Sequence, residues 1–273
     1  MAAETTLAKR VGGFYDLMGQ LIDAVYGENV HYGYWDGDTD PASFSQAQDR
    51  LNDVVAGKLS VAAGQLVLDL GCGTGGPARR VARSTGAAVV GVTVSQWQVA
   101  EATRVTDAAG LAGRVRFEHG DVTGLPFADG SFDAAFALET LVHVADKRAA
   151  LREAWRVLRP GSRLVVADLT ERVAMTEQQR KVWSAMPVAD ALPPGAYQDL
   201  LAGAGFEVTE VLDCTRQVAR SFDGVTAAIE RPAEGLEQVY GTSILRYARQ
   251  GMLAMVEVSR ACIGYAVLTA RRP

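Results

Sequence analysis

Residues 66–83, LVLDLGCGTGGPARRVAR, constrain the fold of this chain more than any other stretch. The apolar run ending at Leu70 has the content of a buried strand. Gly71 to Gly76 form a glycine-rich turn, and Pro77 suits the first position of a helix. Glycines there let the backbone turn sharply and approach a ligand closely, at the point where open α/β sheets bind small molecules.

The strand-to-helix texture repeats downstream. QLVLDL, AAVVGV, VRFEH, FDAAFAL and RLVVADL are short apolar runs, separated by the helical stretches PARRVARS, QWQVAEATRVTDAA and AALREAWRVL. In the last of these Leu151, Ala154, Trp155 and Leu158 share a face, and Pro160-Gly161 ends it. QDLLAGAGFEVTEVLD adds a helix and a strand, and IGYAVLTARRP closes the chain as a strand. Alternation of this kind implies parallel βαβ units and a sheet covered on both faces. The expected class is α/β, a Rossmann-like, doubly wound, mostly parallel seven-stranded sheet with a helical cap.

Around that core the texture differs. Leu7, Val11, Phe14, Leu17, Leu21 and Val25 recur at helical spacing. The loop ENVHYGYWDGDTD follows, in a region (Phe14 to Trp35) holding six of the chain's twenty aromatic residues. Ser43 and Gln46 make a capping-box pair that opens a helix burying Ala47, Leu51, Val54 and Leu59. Residues 171–198 read as helix plus loop, with Trp183, Met186 and a turn at Pro193-Pro194-Gly195. A long helix is expected near 234–259, burying Leu236, Tyr240, Ile244, Tyr247 and Met255. Residues 1–273 are thus expected to form a single domain. Its core spans about 44–170, 199–214 and 262–273, and its cap about 1–43, 171–198 and 215–261.

Composition narrows the partners. A formal net charge of −5 argues against a nucleic-acid backbone as ligand. Arg79, Arg80 and Arg83 read as one solvated helix face. Three widely spaced cysteines (Cys72, Cys214 and Cys262) and three histidines indicate neither a disulfide framework nor a metal site. MAAETTLAKR lacks the apolar run of a secretory signal, and no apolar stretch reaches membrane-span length. The expectation is a cytoplasmic protein, monomer or homodimer, acting on a small molecule without nucleic acid or membrane.

Gly71, Gly73 and Gly76 satisfy GxGxxG, which raises a dinucleotide as ligand. Asp69 opposes that, because a carboxylate beside the turn repels a pyrophosphate and suits a ligand bearing an ammonium and a sulfonium. The acid expected about 20 residues on, for a nicotinamide ribose, is also missing from GVTVSQWQ. S-adenosylmethionine (SAM) fits better.

Taken with HYGYW, VLDLGCGTGGPA, GVTVSQWQV, GDVTGLPFADGSFDAAFALETLVHV, LREAWRVLRPGSRLVVADL and GYAVLTARRP, the chain resembles class I SAM-dependent methyltransferases. It is most similar to the branch of actinomycete natural-product O-methyltransferases of the rebeccamycin sugar type, related to sterol and cyclopropane-type enzymes. The resemblance implies that Asp69, Gly71 and Gly73 hold the methionine end of SAM. It gives Thr93, Val94 and Gln98 to the ribose loop, although Ser95 and Gln98 also have capping-box spacing. Asp121 and Val122 would flank the adenine, with a turn cap as the other role open to Asp121. Leu138 to His143 would lie where the methyl group emerges. His31 and Tyr32, with Tyr34 and Trp35, match an aromatic lid motif, and Tyr15 is a weaker form of the same idea.

His143 is the candidate general base, and Asp168 would assist or orient substrate; a satisfied polar histidine and a strand-end cap are the structural alternatives. Sugar O-methyltransferases of the branch carry two consecutive histidines where this chain has Val142 and His143. The implied activity is methylation of a polyketide, macrolide, terpenoid or glycoside, releasing S-adenosylhomocysteine (SAH), with no metal. The acceptor is expected against Trp183, Met186, Tyr240 or Tyr247. A SAM-binding pericyclase or cyclase that transfers no methyl is the alternative, and a non-catalytic SAM-binding partner protein a third.

Overall fold

A computed structural model describes residues 6–231 and 235–273. Residues 1–5, within the expected cap and the segment read for a signal, and 232–234, at the start of the expected long helix, lie outside the described residues. The elements run α1 (Leu7–Tyr26), α2 (Phe44–Leu59), β1 (Leu66–Leu70), α3 (Gly76–Thr85), β2 (Ala88–Thr93), α4 (Gln96–Ala108), β3 (Val115–His119) and β4 (Phe132–Leu138). A single 3-10 turn at Leu141–His143 leads to α5 (Lys147–Val157), β5 (Leu158–Glu171), α6 (Glu177–Ala185), α7 (Pro194–Gly203) and β6 (Glu207–Asp213). Then come α8 (Thr215–Val218), α9 (Ser221–Glu230), α10 (Leu236–Tyr240), α11 (Thr242–Cys262) and β7 (Ile263–Arg271).

The seven strands form one sheet in the order β3-β2-β1-β4-β5-β7-β6, parallel except for β7, which runs antiparallel to both neighbours. This is the expected α/β class. Successive strand residues point to opposite faces, and both faces are dry. Val67, Val89, Phe136, Val165 and Val267 pack with α2, α3, α9 and α11 on one side. Leu68, Val90, Ala135, Val166 and Leu268 pack with α5 and α7 on the other. Strand order reverses beside β1, which pairs with both β2 and β4, so a crevice opens at the carboxyl ends of these strands.

Several local expectations are corrected. Arg79 is not on a solvated face: it is 2% exposed, donating to the Thr74 carbonyl and pairing with Glu28 of the loop after α1. The expected long helix breaks at Gly241, whose positive φ separates α10 from α11 and shifts the helical phase. Ile244 and Tyr247 consequently face outward, Tyr247 at 80% exposure. In α1 Val11, Leu21, Ile22 and Val25 are buried while Leu17 is exposed, and in α2 Val55 rather than Val54 turns inward. The Ser43–Gln46 capping box is present in full. Pro194 opens α7 as its first residue, so the Pro-Pro-Gly segment starts a helix. Leu158 begins β5, which runs through Pro160-Gly161.

Candidate active site

The glycine turn after β1 crosses back over the end of β2, with the Gly71 and Cys72 amides both donating to the Val92 carbonyl. Gly71 and Gly73 have φ of 77° and 51°, a region that disfavours any residue with a Cβ. A side chain on Gly71 would collide with Thr140, whose hydroxyl donates to the Leu70 carbonyl. At Gly73 the space a Cβ would take is open, with only the Gln98 amide nitrogen nearby, at 4.0 Å.

That opening belongs to a cavity of about 290 Å³ at the strand ends, near the lower end of small-molecule sites at roughly 300 Å³. Gly71 and Gly73, Thr93, Val94, Gln98, Asp121, Val122 and Leu138 all line it, together with Val11 and Tyr15 of α1 and with His143. Among the described residues its carboxyl groups are those of Asp121, Glu139 and Asp146, and no lysine or arginine lines it. Such a wall suits a cation and offers nothing to a pyrophosphate.

Two side chains are set by their neighbours. Gln98 Oε1 accepts from the Thr93 hydroxyl at 2.6 Å, which turns the amide NH₂ toward the cavity. The capping box at this helix is therefore half made: Ser95 Oγ accepts from the Gln98 amide at 3.0 Å, but the glutamine side chain serves Thr93 instead. Asp121 Oδ1 accepts from the amide and hydroxyl of Thr123, so it caps a turn and also lines the cavity.

Asp69, His31 and Tyr32 do not line this cavity. Asp69 is 1% exposed, with one carboxylate oxygen lacking a partner among the described residues, and burial raises its pKa well above the usual carboxylate range. A buried, unpartnered carboxylate two residues before Gly71 is a group a nearby ligand cation would relieve. His31 is buried within the loop between α1 and α2, its Nδ1 donating to the Tyr32 carbonyl at 2.7 Å. Burial lowers its pKa to about 4, so the ring stays neutral.

A second cavity, about 130 Å³, adjoins the first and shares Tyr15, Val30, Glu139 and His143 with it. Its remaining wall is mostly apolar: Phe14, Ile22, Val142, Leu169, Trp183, Met186, Val225, Met252 and Met255, with Tyr26 and Tyr32. Trp183 and Met186 lie where the acceptor wall is expected. Tyr240 and Tyr247 line neither cavity, because the break at Gly241 turns their faces elsewhere.

His143 stands at the junction. Its Nδ1 lies 2.8 Å from the Pro187 carbonyl, which only accepts, so Nδ1 carries the proton and Nε2 presents a lone pair. The Tyr15 hydroxyl sits 3.4 Å from that Nε2. Desolvation lowers the His143 pKa, which keeps the imidazole neutral.

Asp168 contacts neither cavity. The two-residue period of β5 sends Leu169 into the second cavity and Asp168 to the opposite face. Its oxygens accept from the Val142 amide at 3.1 Å and the Leu169 amide at 2.7 Å. Asp168 thus faces the turn that carries His143 and not the cavities expected to hold substrate.

Glu139 is a site residue that sequence reasoning missed. It has φ of 50°, lines both cavities and accepts from the Tyr32 amide at 2.8 Å. Desolvation is the main cause raising its pKa to about 8. Its only signal in the sequence was a carboxylate directly after the apolar strand FDAAFAL. Among the described residues, no His/Cys/Asp/Glu group could hold a metal, and no helix is long and apolar enough to cross a membrane.

Comparison with known proteins agrees with this geometry. A family model described as a methyltransferase domain matches residues 68–166. The O-methyltransferase resE of Aspergillus sclerotiorum is 36% identical over 267 residues, covering 97% of each chain. The 27-O-demethylrifamycin SV methyltransferase of Amycolatopsis mediterranei is 36% identical over 271 residues, covering 96% of this chain and 97% of its own. Among solved structures, the 4+2 cyclase SpnF superposes with a TM-score of 0.85 at 34% identity, covering 98% of this chain and 97% of its own. A glycine turn at the switch point, a cation-suited cavity and relatives matched end to end agree: the chain belongs to the SAM-dependent methyltransferase family.

Proposed function

We propose that the protein O-methylates a neutral, largely apolar natural product, with His143 as general base. The observation that carries this reading is the shared wall of the two cavities, where Tyr15, Glu139 and His143 meet. In it, the core (about 44–170, 199–214 and 262–273) supplies most of the cofactor site, closed on one side by α1, and the cap (about 1–43, 171–198 and 215–261) supplies most of the acceptor wall.

Gly71 and Gly73 take the methionine end of SAM, with Asp69 behind them as counter-charge. Gln98, held by Thr93, offers its NH₂ to the ribose beside Val94. Asp121 and Val122 receive the adenine, and Leu138 packs against the bound molecule. Tyr15 covers the junction, where an aromatic face attracts a sulfonium. His31 and Tyr32 act from behind, His31 by packing the loop and Tyr32 through its amide bond to Glu139 and its ring in the acceptor wall. Bound SAM supplies an electrophilic methyl group and is left as SAH.

The chain's own residues supply position and a proton acceptor. An acceptor hydroxyl in the second cavity gives its proton to His143 Nε2, which the Pro187 carbonyl keeps unprotonated and aimed at the junction. Asp168 is a positioning residue, since it holds the Val142 amide beside His143. The apolar wall excludes water, and orientation of this kind contributes a large part of the rate in two-reactant steps. Among the described residues, no lysine, arginine or aspartate lines the second cavity and its one carboxyl is that of Glu139, which favours an uncharged acceptor over a phosphorylated one.

Cyclisation without methyl transfer is a second reading, favoured by the similarity to a cyclase. Incubation with methyl-labelled SAM and hydroxylated polyketide or terpenoid acceptors separates the two by mass. The expected product is heavier by one labelled methyl group, with equimolar SAH. A rearranged product of unchanged mass, with SAM intact, establishes cyclisation instead.

A further inference from the structure

Helix α1 forms one side of the cofactor cavity through Thr6, Leu7, Ala8, Val11 and Tyr15. A cofactor in that cavity lies against α1, so whatever fastens α1 to the core bears on how readily the cofactor exchanges. Three points on one face, spaced by four and three residues, make that fastening. At Gly12 a methyl group would overlap the Val94 carbonyl oxygen, and at Gly19 it would overlap the Trp97 ring. Between them, Asp16 Oδ1 accepts from the Ser95 hydroxyl at 2.6 Å and from the Trp97 amide at 3.0 Å.

The Asp16 contact is chemically specific. Trp97 N–H belongs to the first turn of α4, whose amides have no partner within the helix. Ser95 is the N-cap of α4, with its oxygen already accepting from Gln98. A carboxylate from another helix thus completes the cap of α4, at a helix end that favours negative charge. The loop it grips, Val94 to Gln98, is also the wall proposed for the ribose. Tyr15 immediately precedes Asp16 in α1 and reaches His143.

We propose that Asp16 is the latch of a cofactor lid and a positioning residue for the reaction. Its bonds to Ser95 and Trp97 hold α1 closed over the cofactor and hold Tyr15 at His143. This rests on the SAM-binding reading above.

Dissociation of SAH from the full-length protein, followed by stopped flow, tests it together with steady-state kinetics in SAM. Asp16→Ala is expected to release SAH about tenfold faster and to raise KM for SAM by a similar factor, with a smaller change in kcat. Asp16→Asn keeps an oxygen for both donors and should stay within about threefold of the wild type. Gly12→Ala supplies an independent wedge: alanine is the better helix former, so α1 itself is not weakened, yet its docking is. It should also speed SAH release. Wild-type release rates in both Asp16→Ala and Gly12→Ala overturn the latch. A wild-type protein that fails to bind SAH at all overturns the cofactor reading, and the latch with it.

Discussion

Glu139 carries a backbone conformation, a burial and a charge state that each cost energy. A φ of 50° in a non-glycine residue costs on the order of 1 kcal/mol or more. The fold tolerates it because the Glu139 amide continues the sheet to the Ala167 carbonyl at 2.7 Å, while the side chain turns back to meet Tyr32. With its pKa raised from 4.5 to about 8, the carboxyl is protonated at neutral pH in the cofactor-free protein. The folded state then binds this proton more tightly than the unfolded chain. The resulting stabilisation is complete below the unfolded pKa and is lost as pH rises through the folded one. Thermal melts of wild type and Glu139→Gln should therefore diverge, the wild type losing ground to the variant between about pH 5 and pH 8. A constant difference across that window would show that Glu139 ionises normally. No periodicity argument could have found this residue, since its importance lies in a backbone angle and in the meeting of loops distant in sequence.

At the scale of elements, the strands, the glycine turn and the first cap helix were legible, and the faces that the cap helices bury were not. A buried parallel strand reads as a continuous apolar run, and β1, β2 and β4 lie where such runs stand. Cap helices obey no such rule, because each touches several surfaces. Helix α1 meets α4 on one side and α9 on another, while its tyrosine enters the cavities, so apolar residues ring it and Leu17 looked no different from Val11. The break at Gly241 had the same effect on Tyr240 and Tyr247, moving them off the acceptor wall. Arg79 failed as a surface residue for want of a visible partner, which Glu28 supplies from fifty-one residues away. What α6 and the residue that caps it contribute can be isolated, since Trp183 and Met186 line only the second cavity. Met186→Ala should raise KM for the acceptor by roughly fivefold to tenfold, the loss of a buried side-chain contact, and leave SAH affinity unchanged. A parallel loss of SAH affinity in calorimetry would mean the two cavities are not separate sites.

Across the whole molecule, one sheet reversal generates the site. Because β1 is flanked by β2 and β4, the glycine turn, the Thr93 loop and the Leu138–His143 segment converge on one crevice. Helices α1, α9 and α11 and the segment after α6 line the adjoining apolar chamber. His143 lies where the two volumes meet, with its proton-accepting nitrogen fixed by a backbone carbonyl. In the sequence His143 was the candidate base and Asp168 an assisting or substrate-orienting residue; the alternation of β5 turns Asp168 away from both cavities, onto the Val142 amide. The decisive comparison is kcat and SAH affinity measured side by side for wild type and His143→Ala. Loss of a general base predicts a fall in kcat of about 10²- to 10⁴-fold, with SAH affinity within about threefold of the wild type. Unchanged turnover would show that His143 does not accept the proton.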